Sequence, residues 1–201
     1  SLGGRWVNEP DFRDQGETPN QIVSVFDYGE SLILFETRGL VGKIKEYPVR
    51  VDNELYFEQG AIRGGKFYPT GKTEGEPLVT VDSKVHPGEN FGNFINCVRS
   101  RKVEELNADI EEAHLSSALC HLGNISYRMG APKKFEPPGG PKKSEPPPDF
   151  SPNAVVSDSV MTLLENTKAI GVDPEKTILW TGQKLDFDPA KEKFVNNPAA
   201  D

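Results

Sequence analysis

The chain has 201 residues, 23 Lys and Arg against 31 Asp and Glu, and a formal charge of −8, with 19 glycines, 17 prolines and only 35% hydrophobic residues. An acidic chain without a basic block is a poor binder of nucleic acid or of an anionic membrane surface, since both require clustered cations to displace counterions. No apolar run approaches the ~20 residues of a membrane helix. The high Gly and Pro content excludes a helical bundle and, with this length, favours a loop-rich globular domain over a disordered chain.

The opening, Ser1-Leu2-Gly3-Gly4-Arg5, has neither the charged nor the apolar region of a signal peptide. It also lacks an initiator Met, so the chain reads as processed or as a piece of something longer. Residues 1–20 read as an irregular lead-in. Residues 22–28 and 31–38 read as two strands joined at Gly29-Glu30, a hairpin signal. The second has four successive apolar residues, Leu32 to Phe35, which predicts a centre covered on both faces. Residues 43–46, 54–58, 61–68 and 78–81 continue as short strands punctuated by Gly60, Gly64, Gly65, Gly71 and Gly75, an antiparallel meander.

At Gly88 the period changes. Phe91, Phe94, Ile95 and Val98 fall on one helical face, and Arg99, Arg101 and Lys102 suit the negative end of the helix dipole. A second helix starts near Asn107 or Asp109, with Asp109 to Glu112 at capping-box spacing. Its stripe is Leu115, Ala118, Leu119, Leu122, Ile125 and Met129, and Gly130 with Pro132 stops it. Residues 131–150 hold seven prolines in twenty positions, a polyproline-type connector unable to form a core. Ser151-Pro152 caps a third helix with Val160, Leu163, Leu164 and Thr167 on one face, ending at Gly171. Residues 177–180 and 184–195 read as a final hairpin. The expected architecture is a single α+β domain over 1–201, with an open, mainly antiparallel sheet and helices packed on one face.

The candidate chemistry is thin. His114 and His121 share a helix face but stand roughly 10 Å apart along it, too far for one metal ion, and His86 precedes a Pro-Gly turn. Cys97 and Cys120 sit among apolar neighbours, where buried inert thiols are expected. There is no GxGxxG between strand and helix and no GxxxxGK loop, so no nucleotide cradle is present. Pro138 to Lys143 contains a PxxP with a basic flank, best read as an exposed connector. No nucleophile has a positioned base.

Three stretches carry more. They are Ser1-Leu2-Gly3-Gly4-Arg5-Trp6 with Gly16-Glu17-Thr18-Pro19-Asn20 and Phe35-Glu36-Thr37-Arg38-Gly39-Leu40; Asn93 to Lys102; and Asn107 to Glu111 leading into His121-Leu122-Gly123-Asn124-Ile125-Ser126-Tyr127-Arg128-Met129-Gly130. Together with the ending from Lys184 to Val195, they resemble the C-terminal domain of the glucose–fructose oxidoreductase, inositol dehydrogenase and MocA family, most closely a bacterial branch of it. The resemblance implies an absent N-terminal Rossmann domain holding NAD or NADP. It implies hydride transfer to or from a sugar or polyol, and a homo-oligomer built through the sheet face.

It also implies that the family's catalytic Lys and His lie outside this chain, which would be inactive alone. No catalytic, cofactor-binding or metal residue carries over. Arg5, Trp6 and Arg38, at strand ends, are the candidate substrate-binding residues, since guanidinium and indole groups suit sugar hydroxyls and faces. The compartment is left open between the cytoplasm and the periplasm, reached by twin-arginine export. The alternative reading is a stand-alone carbohydrate- or protein-binding module with a proline-rich docking segment.

Overall fold

The structure is a computed structural model that describes residues 1–7, 15–41, 51–79, 85–134, 152–173, 176–195 and 197–201. The backbone divides into two compact units, Ser1–Leu78 with Gly123–Asp201, and Val79–Leu122.

The larger unit is organised by a five-stranded sheet. Its strands are β1 (Leu2–Gly4), β2 (Gln21–Asp27), β3 (Leu32–Arg38), β8 (Ala131–Lys134) and β9 (Ile178–Thr181), in the order β3-β2-β1-β9-β8. Every pairing in it is antiparallel. A second sheet joins β4 (Leu55–Phe57), β5 (Gly60–Arg63), β6 (Lys66–Pro69) and β7 (Glu76–Pro77) as a meander. A separate hairpin pairs β10 (Asp186–Asp188) with β11 (Lys193–Val195). With helices α1 (Glu89–Ser100), α2 (Ile110–Arg128) and α3 (Pro152–Ala169), this is the expected α+β class with open antiparallel sheets.

The hairpin of β2 and β3 forms as its sequence predicts. Tyr28 N–H donates to Ser31 O at 3.0 Å, the Asp27 carboxylate accepts from Gly29 N–H at 2.9 Å, and Gly29 takes φ 82°. Its burial is the reverse of the expectation. The first four residues of β2 are all buried, with Ile22 at 6% and Val23 at 3% exposure, whereas Ile33 and Phe35 of β3 are 42% and 39% exposed. Alternate side chains point to opposite faces of a sheet. On one face Thr167 of α3 donates to Gln21 Oε1 at 3.2 Å. On the other, a Cβ placed on Gly123, in the last turns of α2, would stand 2.9 Å from Ser24 Oγ, so helical residues lie against both faces of the sheet and not, as expected, against one. Only a glycine lets the helix approach β2 this closely. Ile22, Val23, Leu163, Leu164 and Leu179 form the buried apolar core of this unit.

Four further expectations are corrected. The lead-in contains a strand, β1, because Gly3 and Gly4 allow close pairing with β2 on one side and β9 on the other. Residues 61–68 are two strands, not one: Gly64 and Gly65 both take positive φ (53° and 73°) and turn the chain back between β5 and β6, as a two-residue hairpin turn requires. Residues 131–134, assigned to the connector, pair with β9, so only the rest of that segment remains, outside the described residues. And β9 does not pair with the tail. It inserts between β1 and β8, and the final hairpin lies wholly within 186–195. The strand expected at 43–46, the PxxP run and Ser151 lie outside the described residues, as does part of 78–81.

The caps behave as read. The Asp109 carboxylate accepts from Glu112 N–H at 3.0 Å at the start of α2, and Gly171 with φ 88° closes α3, where Val172 N–H reaches Thr167 O at 3.1 Å. In the smaller unit α1 forms over the expected residues, but its stripe is bare, with Phe91 85% and Phe94 60% exposed. The helix is held from its other side. Asn93 is buried, donates to Glu105 O at 2.8 Å and accepts from Asn107 N–H at 3.0 Å. Asn107 in turn brackets His86, accepting from its N–H and donating to its carbonyl, both at 2.8 Å.

Candidate functional site

The ladder brings the candidate residues to one end of the larger sheet. Gln21, the first residue of β2, pairs with Gly4 on one side and Arg38 on the other. Strands are spaced about 4.8 Å apart, so the chain just past Gly4 and the end of β3 begin roughly 10 Å apart across β2. Arg5 and Trp6 follow directly from β1 and share this rim with Arg38.

Asn20 is the residue that builds the rim. Its side-chain amide donates to Trp6 O at 2.7 Å, and its Oδ1 accepts from Trp6 N–H at 3.2 Å. Its own N–H donates to Gly4 O at 3.1 Å, and its carbonyl accepts from Gly39 N–H at 2.7 Å. One asparagine therefore locks the segment after β1 to the segment after β3. Gln21 adds a second tie, donating to Gly39 O at 3.1 Å. In the sequence Asn20 stands within the Gly16–Asn20 motif with nothing to mark it as a site residue. The available signal was a turn-forming residue immediately ahead of a β-rich run.

Each candidate side chain has a partner. Arg5 donates to Thr18 O at 2.8 Å and lies over Gly16. Arg38 is ion-paired with Glu36, its neighbour on the same strand face. The indole of Trp6 is half-buried and folds back over Gly4, where a Cβ would run into its six-membered ring. Glu17, on the loop that carries Thr18, is bridged by Arg128 at the end of α2, at 3.4 Å. The structure thus joins all three candidates to one strand-end rim, rich in N–H donors and carrying an indole. Such a rim can hold hydroxyl or carboxylate oxygens.

The other chemically distinct patch is on the smaller sheet. Tyr56 donates to Glu54 at 2.5 Å, and Arg63 stacks over the Tyr68 ring at 4.5 Å. Burial, reinforced by the Glu54 carboxylate, raises the Tyr56 hydroxyl well above the ordinary phenol range. Burial also raises Tyr127, whose ring lies 6.2 Å from that of Trp180.

His86, His114 and His121 are all exposed and belong to the smaller unit. The thiols correct the expectation of burial: Cys120 is exposed and Cys97 half-buried, and both are free. Among the described residues no group of three His, Cys, Asp or Glu is placed to hold a metal ion, and no helix is long and apolar enough to cross a membrane. Comparison with protein-family models, with curated proteins and with solved structures finds no match to this chain.

Proposed function

We propose that this chain is the substrate-binding and oligomerisation domain of an NAD- or NADP-dependent oxidoreductase acting on a sugar or polyol, inactive without its coenzyme domain. The reading rests on the three stretches that resemble the family's C-terminal domain. The observation that supports it best is that Arg5 and Trp6, just past β1, and Arg38, at the end of β3, share one rim organised by Asn20. In this reading the rim donates hydrogen bonds to substrate hydroxyls while Trp6 lies against a sugar face. The coenzyme would come from a separate Rossmann domain.

The test has two arms. NADH and NADPH titrated into the chain are expected to give no binding, and the reading frame upstream of Ser1 is expected to encode a strand-GxGxxG-helix. In the protein carrying both domains, Arg5→Ala and Arg38→Ala are expected to raise KM with little change in kcat, because they remove ground-state contacts. Tight, stoichiometric uptake of a pyridine nucleotide by the chain alone, or a reading frame that begins at Ser1, overturns the proposal.

A further inference from the structure

Gln21 carries a polar side chain yet is wholly buried, at 0% exposure. The ladder sets it directly between Gly4 of β1 and Arg38 of β3. Directly opposed residues of an antiparallel pair carry their side chains on the same face of the sheet. Across this face the row therefore runs from the Trp6 indole, which covers the Cβ side of Gly4, through the Gln21 amide to the Arg38 side chain. The amide stands between the two rim side chains, and its burial keeps it out of reach of any ligand that touches them.

Both ends of that amide are fixed. Its nitrogen donates to Gly39 O at 3.1 Å, one residue past Arg38. Its oxygen lies 3.2 Å from the hydroxyl of Thr167 on α3, a side chain that is also 0% exposed. The Thr167 hydroxyl reaches Leu163 O as well, at 2.8 Å, so it keeps a partner without the glutamine. α3 packs over β2 and β3. A polar pair in this layer carries a desolvation cost that an apolar pair of the same shape avoids, and its hydrogen bonds lead to Gly39 on the rim.

We propose that Gln21 is a positioning residue of the rim. It holds the indole and the guanidinium at a set spacing, and Thr167 transmits the seating of α3 to that spacing. Neither residue touches a ligand. The effect on substrate affinity rests on the substrate-binding reading of the rim, whereas the effect on rim geometry does not.

Two measurements separate these effects. In the full chain, Gln21→Met keeps the side-chain length and loses both hydrogen bonds. Hydrogen exchange at the amides of Trp6 and Gly39, both of which donate to Asn20, should quicken roughly three- to tenfold. Exchange at Tyr28, which donates to Ser31 O at the far end of the hairpin, should stay unchanged. Thr167→Val keeps the shape and removes the hydroxyl; it should quicken the same two amides less, and Thr167→Ser should restore the parent rates. This pair carries the test if Gln21→Met fails to fold. In the protein with both domains, the same variants should raise KM in the same order, with kcat within about twofold. Rim amides that ignore these substitutions, or that quicken together with Tyr28, overturn the proposal. Quickened rim amides with an unmoved KM uphold the hold of Gln21 on the rim and overturn the substrate-binding reading instead.

Discussion

Strands β2 and β3 are neighbours in one ladder and similar in composition, yet they stand in opposite environments. β2 is clamped at its first four residues, with Thr167 of α3 on one face and Gly123 of α2 against the other. β3 keeps its apolar run half open to water. Hydrophobicity alone therefore does not decide which strand is central. The small and polar residues do: Ser24 and Gly123 permit close approach, and Gln21 gives α3 a hydrogen bond inside the core. The apolar run of β3 lacks such fittings among the described residues, and Leu32, Ile33 and Phe35 stay exposed.

The largest test of this contrast compares two isoleucines, Ile22 of β2 and Ile33 of β3. Ile22→Ala should cost about 2–5 kcal/mol in denaturant unfolding, while Ile33→Ala should fall within about 1 kcal/mol. Equal costs would erase the distinction between the strands. Next comes the helix approach. Gly123→Val should cost about 1–3 kcal/mol through overpacking, and Ser24→Gly in the same chain should recover part of it. Additive effects would mean that the two residues are not in contact. The smallest effect belongs to the exposed end of β3. Glu36→Gln, which breaks the pair with Arg38, should change stability by no more than about 0.2–1 kcal/mol, and high salt should abolish the difference.

Much of the fold was legible because it is local. The turn at Gly29, the Asp109 cap, the Gly171 stop and the α3 stripe each depend on a few adjacent residues, and each forms as read. What failed was long-range. Nothing local in Leu2-Gly3-Gly4 announces a strand, because its pairing comes from Ile22 on one side and Trp180 on the other. The tail strand was assigned to its sequence neighbour because a hairpin is the shortest route, although its partners lie at Gly3 and Pro132. The Phe91 stripe was read correctly as helical but not as bare, since periodicity reports a face and not what covers it. At the candidate site, Arg5, Trp6 and Arg38 were reached through residue type and strand ends. Asn20, which joins them, was missed because its role exists only once three strands stand side by side.

The placement of β9 has a consequence for how the chain is made. β1 pairs with a strand that ends at Thr181, far along the chain. The central ladder therefore cannot close until the residues up to Thr181 have left the ribosome. Until then the β1 edge waits unpaired, and such late, distant pairing slows folding and lengthens exposure to aggregation. Shortening the carboxyl end past that strand would remove a middle plank of the sheet and not a trailing ornament.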